Sequence, residues 1–224
     1  MGEPREAGPP CLAIFDCDGV LVDSEPVSNR VLAEAASEAG AKISTEEAAE
    51  AFAGWHLDDI AAEIARRAGS ELSANWVASF EARRAAEFAK GLDPIPGVGQ
   101  ALLRIRGAGI PICVASQASR EKVDLVLSLS GLGEHFEPAA RFSSRMVERG
   151  KPAPDLFLFV ARSMQCAPAR CVVVEDGILG ARAAKQAGMG LLGFAPAGDG
   201  GLLAAEGATL FASMRDLPGL LGIG

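Results

Sequence analysis

Ile14-Phe15-Asp16-Cys17-Asp18-Gly19-Val20-Leu21-Val22-Asp23-Ser24-Glu25 is the stretch on which the reading of this 224-residue chain turns. The apolar run Cys11-Leu12-Ala13-Ile14-Phe15 delivers two carboxylates, two residues apart, into a glycine turn. A short continuous apolar run that stops at a polar loop predicts a buried parallel strand. In open α/β sheets ligands bind just beyond the carboxyl ends of such strands, which places Asp16 and Asp18 at the rim of a site. Carboxylates that close repel each other unless a cation shares them. Mg²⁺, a hard ion that prefers oxygen ligands, is the natural guest.

Downstream of Asp23-Ser24 the periodicity turns helical. Val27, Val31, Ala35 and Ala39 mark one helical face ending at Gly40, and Ser44 with Glu47 forms a capping box for the next helix. Leu57, Ile60, Ala61, Ile64, Ala65 and Ala68 recur at helical spacing up to Gly69, and Trp76, Val77, Phe80 and Phe88 lie on a further helix. No strand-like run occurs between Ser24 and Pro94, so 25–94 is expected to be an inserted all-helical cap domain. From Ile95-Pro96-Gly97 onward helices alternate with apolar strands near 110–115, 139–142, 171–174, 191–194 and 209–211. The expected fold is therefore α/β: a Rossmann-like, doubly wound parallel sheet, built from 1–24 and 95–224, around the helical insert.

Composition narrows the function classes. With 49% hydrophobic residues the chain can bury a full core, and its net charge of -8 argues against duplex nucleic acid or an anionic membrane as the main partner. The five cysteines, Cys11, Cys17, Cys113, Cys166 and Cys171, include no CxxC pair and are expected to be reduced core residues. Met1 to Pro10 lacks the apolar centre of a signal peptide and is read as a disordered lead-in, and no later run approaches a membrane span. A soluble, cytoplasmic protein is expected, a monomer or else a homodimer.

Residues just past the ends of parallel strands converge on one rim. Beyond Asp16 and Asp18, Ile112-Cys113-Val114-Ala115 leads to Ser116-Gln117 at a helix entry, where backbone N–H groups favour an anion. Arg149-Gly150-Lys151-Pro152-Ala153-Pro154 sets a lysine ahead of a helix, and Val172-Val173-Val174 leads to Glu175-Asp176-Gly177. Each alone has a structural explanation: a turn aspartate, an N-cap serine, a solvated lysine, an acidic loop complementing a helix dipole. Their joint occurrence in this order favours function, since four crowded acidic side chains without a cation are costly.

On these residues the chain resembles the phosphohydrolases of the haloacid dehalogenase superfamily, subfamily IA with a helical cap, and is similar to the β-phosphoglucomutase and sugar-phosphatase branch. The matching segments are Phe15 to Ser24, Ser116, Gly150-Lys151-Pro152-Ala153-Pro154-Asp155, and Val174-Glu175-Asp176-Gly177. The resemblance implies Asp16 as a nucleophile that forms an aspartyl-phosphate, and Asp18 as general acid and base. It implies Mg²⁺ held by Asp16, the backbone carbonyl of Asp18, Asp176 and Glu175, and a phosphoryl group cradled by Ser116, Gln117 and Lys151. It also matches Phe52-Ala53-Gly54-Trp55-His56 to the cap's specificity loop, making Trp55 and His56 candidates for touching the substrate.

Departures from the family pattern bear on specificity. Ser28 and Leu57 stand where β-phosphoglucomutases carry His and Arg, which weakens the case for a mutase. The cap lysines, Lys42 and Lys90, lie outside the Gly54 to Asp58 loop, against Schiff-base phosphonate chemistry, and Asp18 speaks against true dehalogenation. Gln117 and Gly177 stand where many relatives have Asn or Ser. The expectation is a Mg²⁺-dependent phosphatase for a small phosphorylated metabolite, a sugar or sugar-acid phosphate such as 6-phosphogluconate. The alternatives are a mutase-like phosphotransferase and a catalytically silent phospho-ligand sensor.

Overall fold

The structure, a computed structural model, describes residues 8–196, 198 and 200–224. Most of the expected N-terminal lead-in, residues 1–7, lies outside the described residues. In chain order the elements are β1 (Leu12–Phe15), α1 (Glu25–Glu38), α2 (Thr45–Phe52), α3 (Leu57–Ala68), α4 (Trp76–Phe88), α5 (Val98–Gly107), β2 (Ile112–Ser116), α6 (Arg120–Leu129), β3 (Arg141–Ser143), α7 (Asp155–Ser163), β4 (Cys171–Glu175), α8 (Ile178–Gln186), β5 (Gly190–Phe194), α9 (Gly201–Ala205), β6 (Thr209–Phe211) and α10 (Leu217–Leu220).

Every residue of β1, β2 and β4 is buried, as continuous apolar strands covered on both faces require. The six strands form one parallel sheet in the order β3-β2-β1-β4-β5-β6. The chain winds outward from β1 to β3, then returns to lay β4 on the other flank of β1, where Phe15 pairs with Val174. That reversal creates a crevice beyond the carboxyl ends of β1 and β4. Alternate residues of the central strands, Leu12 and Ile14, Cys113 and Ala115, Cys171 and Val173, pack with Leu156, Phe157 and Val160 of α7 and Ala181 and Ala184 of α8. Each large apolar side chain buried this way contributes about 1.5–3 kcal/mol.

The chain divides into two compact units, one from Met1–Val22 with Pro94–Gly224 and one from Asp23–Asp93. The second is helical throughout. Val31, Leu32, Ala35 and Ala36 of α1 bury against Ala48 and Phe52 of α2, Ile60 and Ile64 of α3 and Phe80 of α4. The capping box at α2 is complete: Glu47 N–H donates to Ser44 Oγ (3.1 Å), and Ser44 N–H donates to the Glu47 carboxylate (3.0 Å). Gly69, with φ of 68°, closes α3 in the left-handed region.

One expectation is corrected. The cysteines are not all reduced: Cys11 and Cys166 form a disulfide with Cα atoms 6.1 Å apart, while Cys17, Cys113 and Cys171 are free and buried. The partners are 155 residues apart in sequence, and only the tertiary fold brings them together. The short α10 carries no clear sequence signal; burial of Leu217 and Pro218 stabilises it. No helix among the described residues is long and apolar enough to cross a membrane.

Candidate active site

Asp16 directly follows β1, and its N–H donates to Val174 O (3.0 Å), extending the β1–β4 ladder by one rung. Beyond it the chain turns tightly, with Gly19 N–H on Val22 O (2.8 Å) and Leu21 N–H on Cys17 O (2.9 Å), and fully buried Val20, Leu21 and Val22 anchor that turn. Glu175 ends β4, and Asp176 and Gly177 lead into α8. Lys151 comes from the loop ahead of α7, and its Nζ lies 2.5 Å from both Asp16 Oδ1 and Glu175 Oε1. Glu175 is fixed at its other oxygen too, which accepts from the N–H groups of Asp176 (3.1 Å) and Gly177 (3.0 Å). Oxygens of Asp16, Glu175 and Asp176 all lie within 4.8 Å of one another.

Two glycines make room for this cluster. A Cβ at Gly19 would overlap the Asp176 carboxylate, and one at Gly180, inside α8, would overlap that of Glu175. Gly19 also has φ of +79°, a conformation that glycine adopts readily. Gly180 was missing from the sequence reading. Its signal was available: a mid-helix glycine costs about 1 kcal/mol against alanine, and this one sits in an otherwise alanine-rich helix.

The cluster is charged, and burial decides its balance. Lys151 is 7% exposed and Glu175 2%. Burial pushes the Asp16 carboxyl up to about 7, against the pull of the Lys151 ammonium, with Glu175 and Asp18 adding to the rise. Burial acts downward on Lys151, but Asp16 and Glu175 outweigh it and hold the ammonium above its ordinary range. Three carboxylates around one lysine carry excess negative charge, and a hard divalent cation taking one oxygen from each would relieve it. The donor set and the space kept by Gly19 and Gly180 fit such an ion.

The remaining sequence candidates are placed as follows. Ser116 is buried at the end of β2, one strand over from Asp16, and its Oγ accepts from Ala118 N–H (3.1 Å); the N-cap of α6 is Ser119. Gln117 turns its amide onto the lysine loop: Oε1 accepts from Lys151 N–H (3.0 Å) and Nε2 donates to Lys151 O (3.3 Å). Asp18 directs its carboxylate to Lys122, with 2.8 Å from Nζ to each oxygen, and this carboxylate is not part of the three-residue acidic group. Lys122 was not singled out from sequence, though a cation in the first turn of a helix opposes the dipole and is a usable signal. In the helical unit Trp55 is 46% exposed with its ring edge-on to Phe52 (5.7 Å), and His56 holds the N-cap position of α3 without a side-chain capping bond.

An acidic triad with a buried lysine thus stands at the switch point of a parallel α/β sheet, where such folds bind their ligands. The family profile of haloacid dehalogenase-like hydrolases matches residues 12–188, and the chain belongs to that family. It is an enzyme of the phosphatase type, a hydrolase of phosphoric monoesters. It is 29% identical over 207 residues to the 6-phosphogluconate phosphatase of Escherichia coli K12, covering 92% of both chains. It is 29% identical over 191 residues to hexitol phosphatase B of the same organism, covering 84% of each. Among solved structures, a HAD family hydrolase from Deinococcus radiodurans with bound phosphate and sodium superimposes with a TM-score of 0.76 at 31% identity, over 96% of both chains.

Proposed function

We propose that this chain is a Mg²⁺-dependent phosphatase for small sugar or sugar-acid phosphates, working through a phosphoryl group carried on Asp16. The observation that carries the reading is the meeting of Asp16, Glu175 and Asp176 within 4.8 Å around Lys151. Asp16, Glu175 and Asp176, with the backbone carbonyl of Asp18, are the groups that would hold the ion. When bound, Mg²⁺ neutralises phosphoryl charge and favours ionised Asp16.

The chain's own groups account for the two steps. Asp16 attacks phosphorus in line; the acyl-phosphate bond forms, the ester P–O bond breaks, and Asp18 gives its proton to the departing alkoxide. Asp18 then takes a proton from water, whose oxygen attacks the same phosphorus; the acyl-phosphate bond breaks, releasing inorganic phosphate and regenerating Asp16. Ser116 Oγ and the Lys151 ammonium stabilise the transferred phosphoryl oxygens. Gln117, bonded to both the N–H and the C=O of Lys151, holds that lysine's backbone in place. In the same reading the unit Asp23–Asp93 is the cap that selects the substrate, with Trp55 and His56 as its candidate specificity residues.

The test is phosphate release from an aryl phosphate with and without Mg²⁺, followed by a panel including 6-phosphogluconate and hexitol phosphates, the compounds named by the relatives. Mg²⁺-dependent release and a preference within that panel are expected. Undiminished release by Asp16→Asn would overturn the covalent route, and isomerisation outrunning hydrolysis on hexose 1-phosphates would replace the phosphatase with a mutase.

A further inference from the structure

Lys122 occupies the third position of α6, where the positive end of the helix dipole disfavours a cation. It is nevertheless tucked in, with its side chain 13% exposed, and its Nζ lies 2.8 Å from both oxygens of Asp18. One ammonium shared equally by both oxygens fixes the direction in which the carboxylate points.

The base of that grip is itself pinned. Ser119 Oγ accepts from Lys122 N–H (3.3 Å), and the Arg120 guanidinium donates to Asp124 (2.9 Å), Arg141 O (2.9 Å) and Pro138 O (2.8 Å). Asp124 in turn accepts from Arg141 of β3 (2.8 Å). The first turn of α6 is thus locked to the sheet edge, and the reach of Lys122 is set by a rigid support.

We propose that Lys122 is a positioning residue that holds the Asp18 carboxylate in one orientation, apart from the Asp16–Glu175–Asp176 cluster, so that proton transfer to the leaving group depends on it. The inference rests on the phosphatase reading, which supplies the role of Asp18. Phosphate binding and cation binding are then largely indifferent to Lys122, whereas departure of a poor leaving group is not.

The experiment compares kcat/KM, which reports transfer to Asp16, for a nitrophenyl phosphate and an alkyl phosphate in the Mg²⁺-loaded full-length protein. Nitrophenolate leaves without a proton and an alkoxide does not. Lys122→Met is expected to lose about 100-fold with the alkyl ester, the scale of a general acid, and under tenfold with the nitrophenyl ester. The Mg²⁺ concentration for half-activation is expected to stay within threefold, and Lys122→Arg to recover most of the alkyl-ester activity. Equal losses on both esters, a tenfold rise in the Mg²⁺ requirement, or no loss would overturn the proposal.

A thermal-unfolding cycle of Lys122→Met, Asp18→Asn and the double variant tests the pairing whether or not the enzyme turns over. Non-additivity of about 2 °C or more is expected, and additive shifts would overturn it. A wild-type protein inactive on both esters would instead sink the phosphatase reading, an outcome distinct from either variant result.

Discussion

On the helical unit, Arg83 donates to Glu34 and Glu38 and Arg30 to Glu34 and Glu87, tying α1 to α4 with side chains 22–67% exposed. In the α/β unit, Lys151 meets Asp16 and Glu175 with its side chain 4% exposed. The residue types are nearly the same, and the physics differs in sign. Exposed pairs contribute up to about 1 kcal/mol each and are screened by salt. Buried charges must first be stripped of water, so a buried cluster is weak support for the fold and strong support for chemistry. The helical unit carries its ion pairs on the surface, and the α/β unit buries them at the ends of β1 and β4.

The largest way to break this contrast is Asp16→Asn, expected to lower turnover by about four orders of magnitude, as loss of a nucleophile does. The same variant sharpens it through pH. Burial holds the folded-state Asp16 carboxyl near 7, above its ordinary 3.8, so ionisation opposes folding. Its stabilising contribution is complete below about pH 4 and is lost as pH rises through 7. Melting temperatures of the metal-free wild type are therefore expected to fall over that window, a limb absent from Asp16→Asn, and Mg²⁺ at pH 8 is expected to raise the wild type more than the variant.

Next in size is Lys151→Met, which strands two carboxylates in the interior. Urea denaturation at pH 8 is expected to show a loss of about 3–5 kcal/mol, with activity at background. Gly180→Ala follows. Helix propensity alone would stabilise α8 by about 1 kcal/mol. The new methyl group instead displaces the Glu175 carboxylate, so the Mg²⁺ requirement is expected to rise about 10- to 100-fold in activity titrations. The smallest effect is that of Arg83→Ala, below about 1 kcal/mol by thermal melts and without change in turnover. A large activity loss from Arg83→Ala would erase the contrast.

Much of this was legible from local pattern. Continuous apolar runs such as Val172-Val173-Val174 announce buried parallel strands, Ser44 with Glu47 announces a helix start, and both occur where expected. Element ends moved by a residue or two; β2 begins after Pro111 and runs through Ser116, so its hydroxyl is the strand's own last side chain. The residues that escaped act across space. Lys122 is 104 positions from Asp18, Gly180 matters only through the carboxylate lying over it, and the Cys11–Cys166 disulfide spans 155 residues.

The stretch around Asp16 and Asp18 thus determined by itself a strand, a turn and two carboxylates at a strand end, because those follow from short-range periodicity and from where a parallel sheet leaves its ligands. Only the tertiary structure decided how the two part company. Asp16 joins Lys151, Glu175 and Asp176, while Asp18 turns to Lys122. The reason is physical: which cation a carboxylate meets depends on strand order and helix placement, long-range terms that no local pattern encodes.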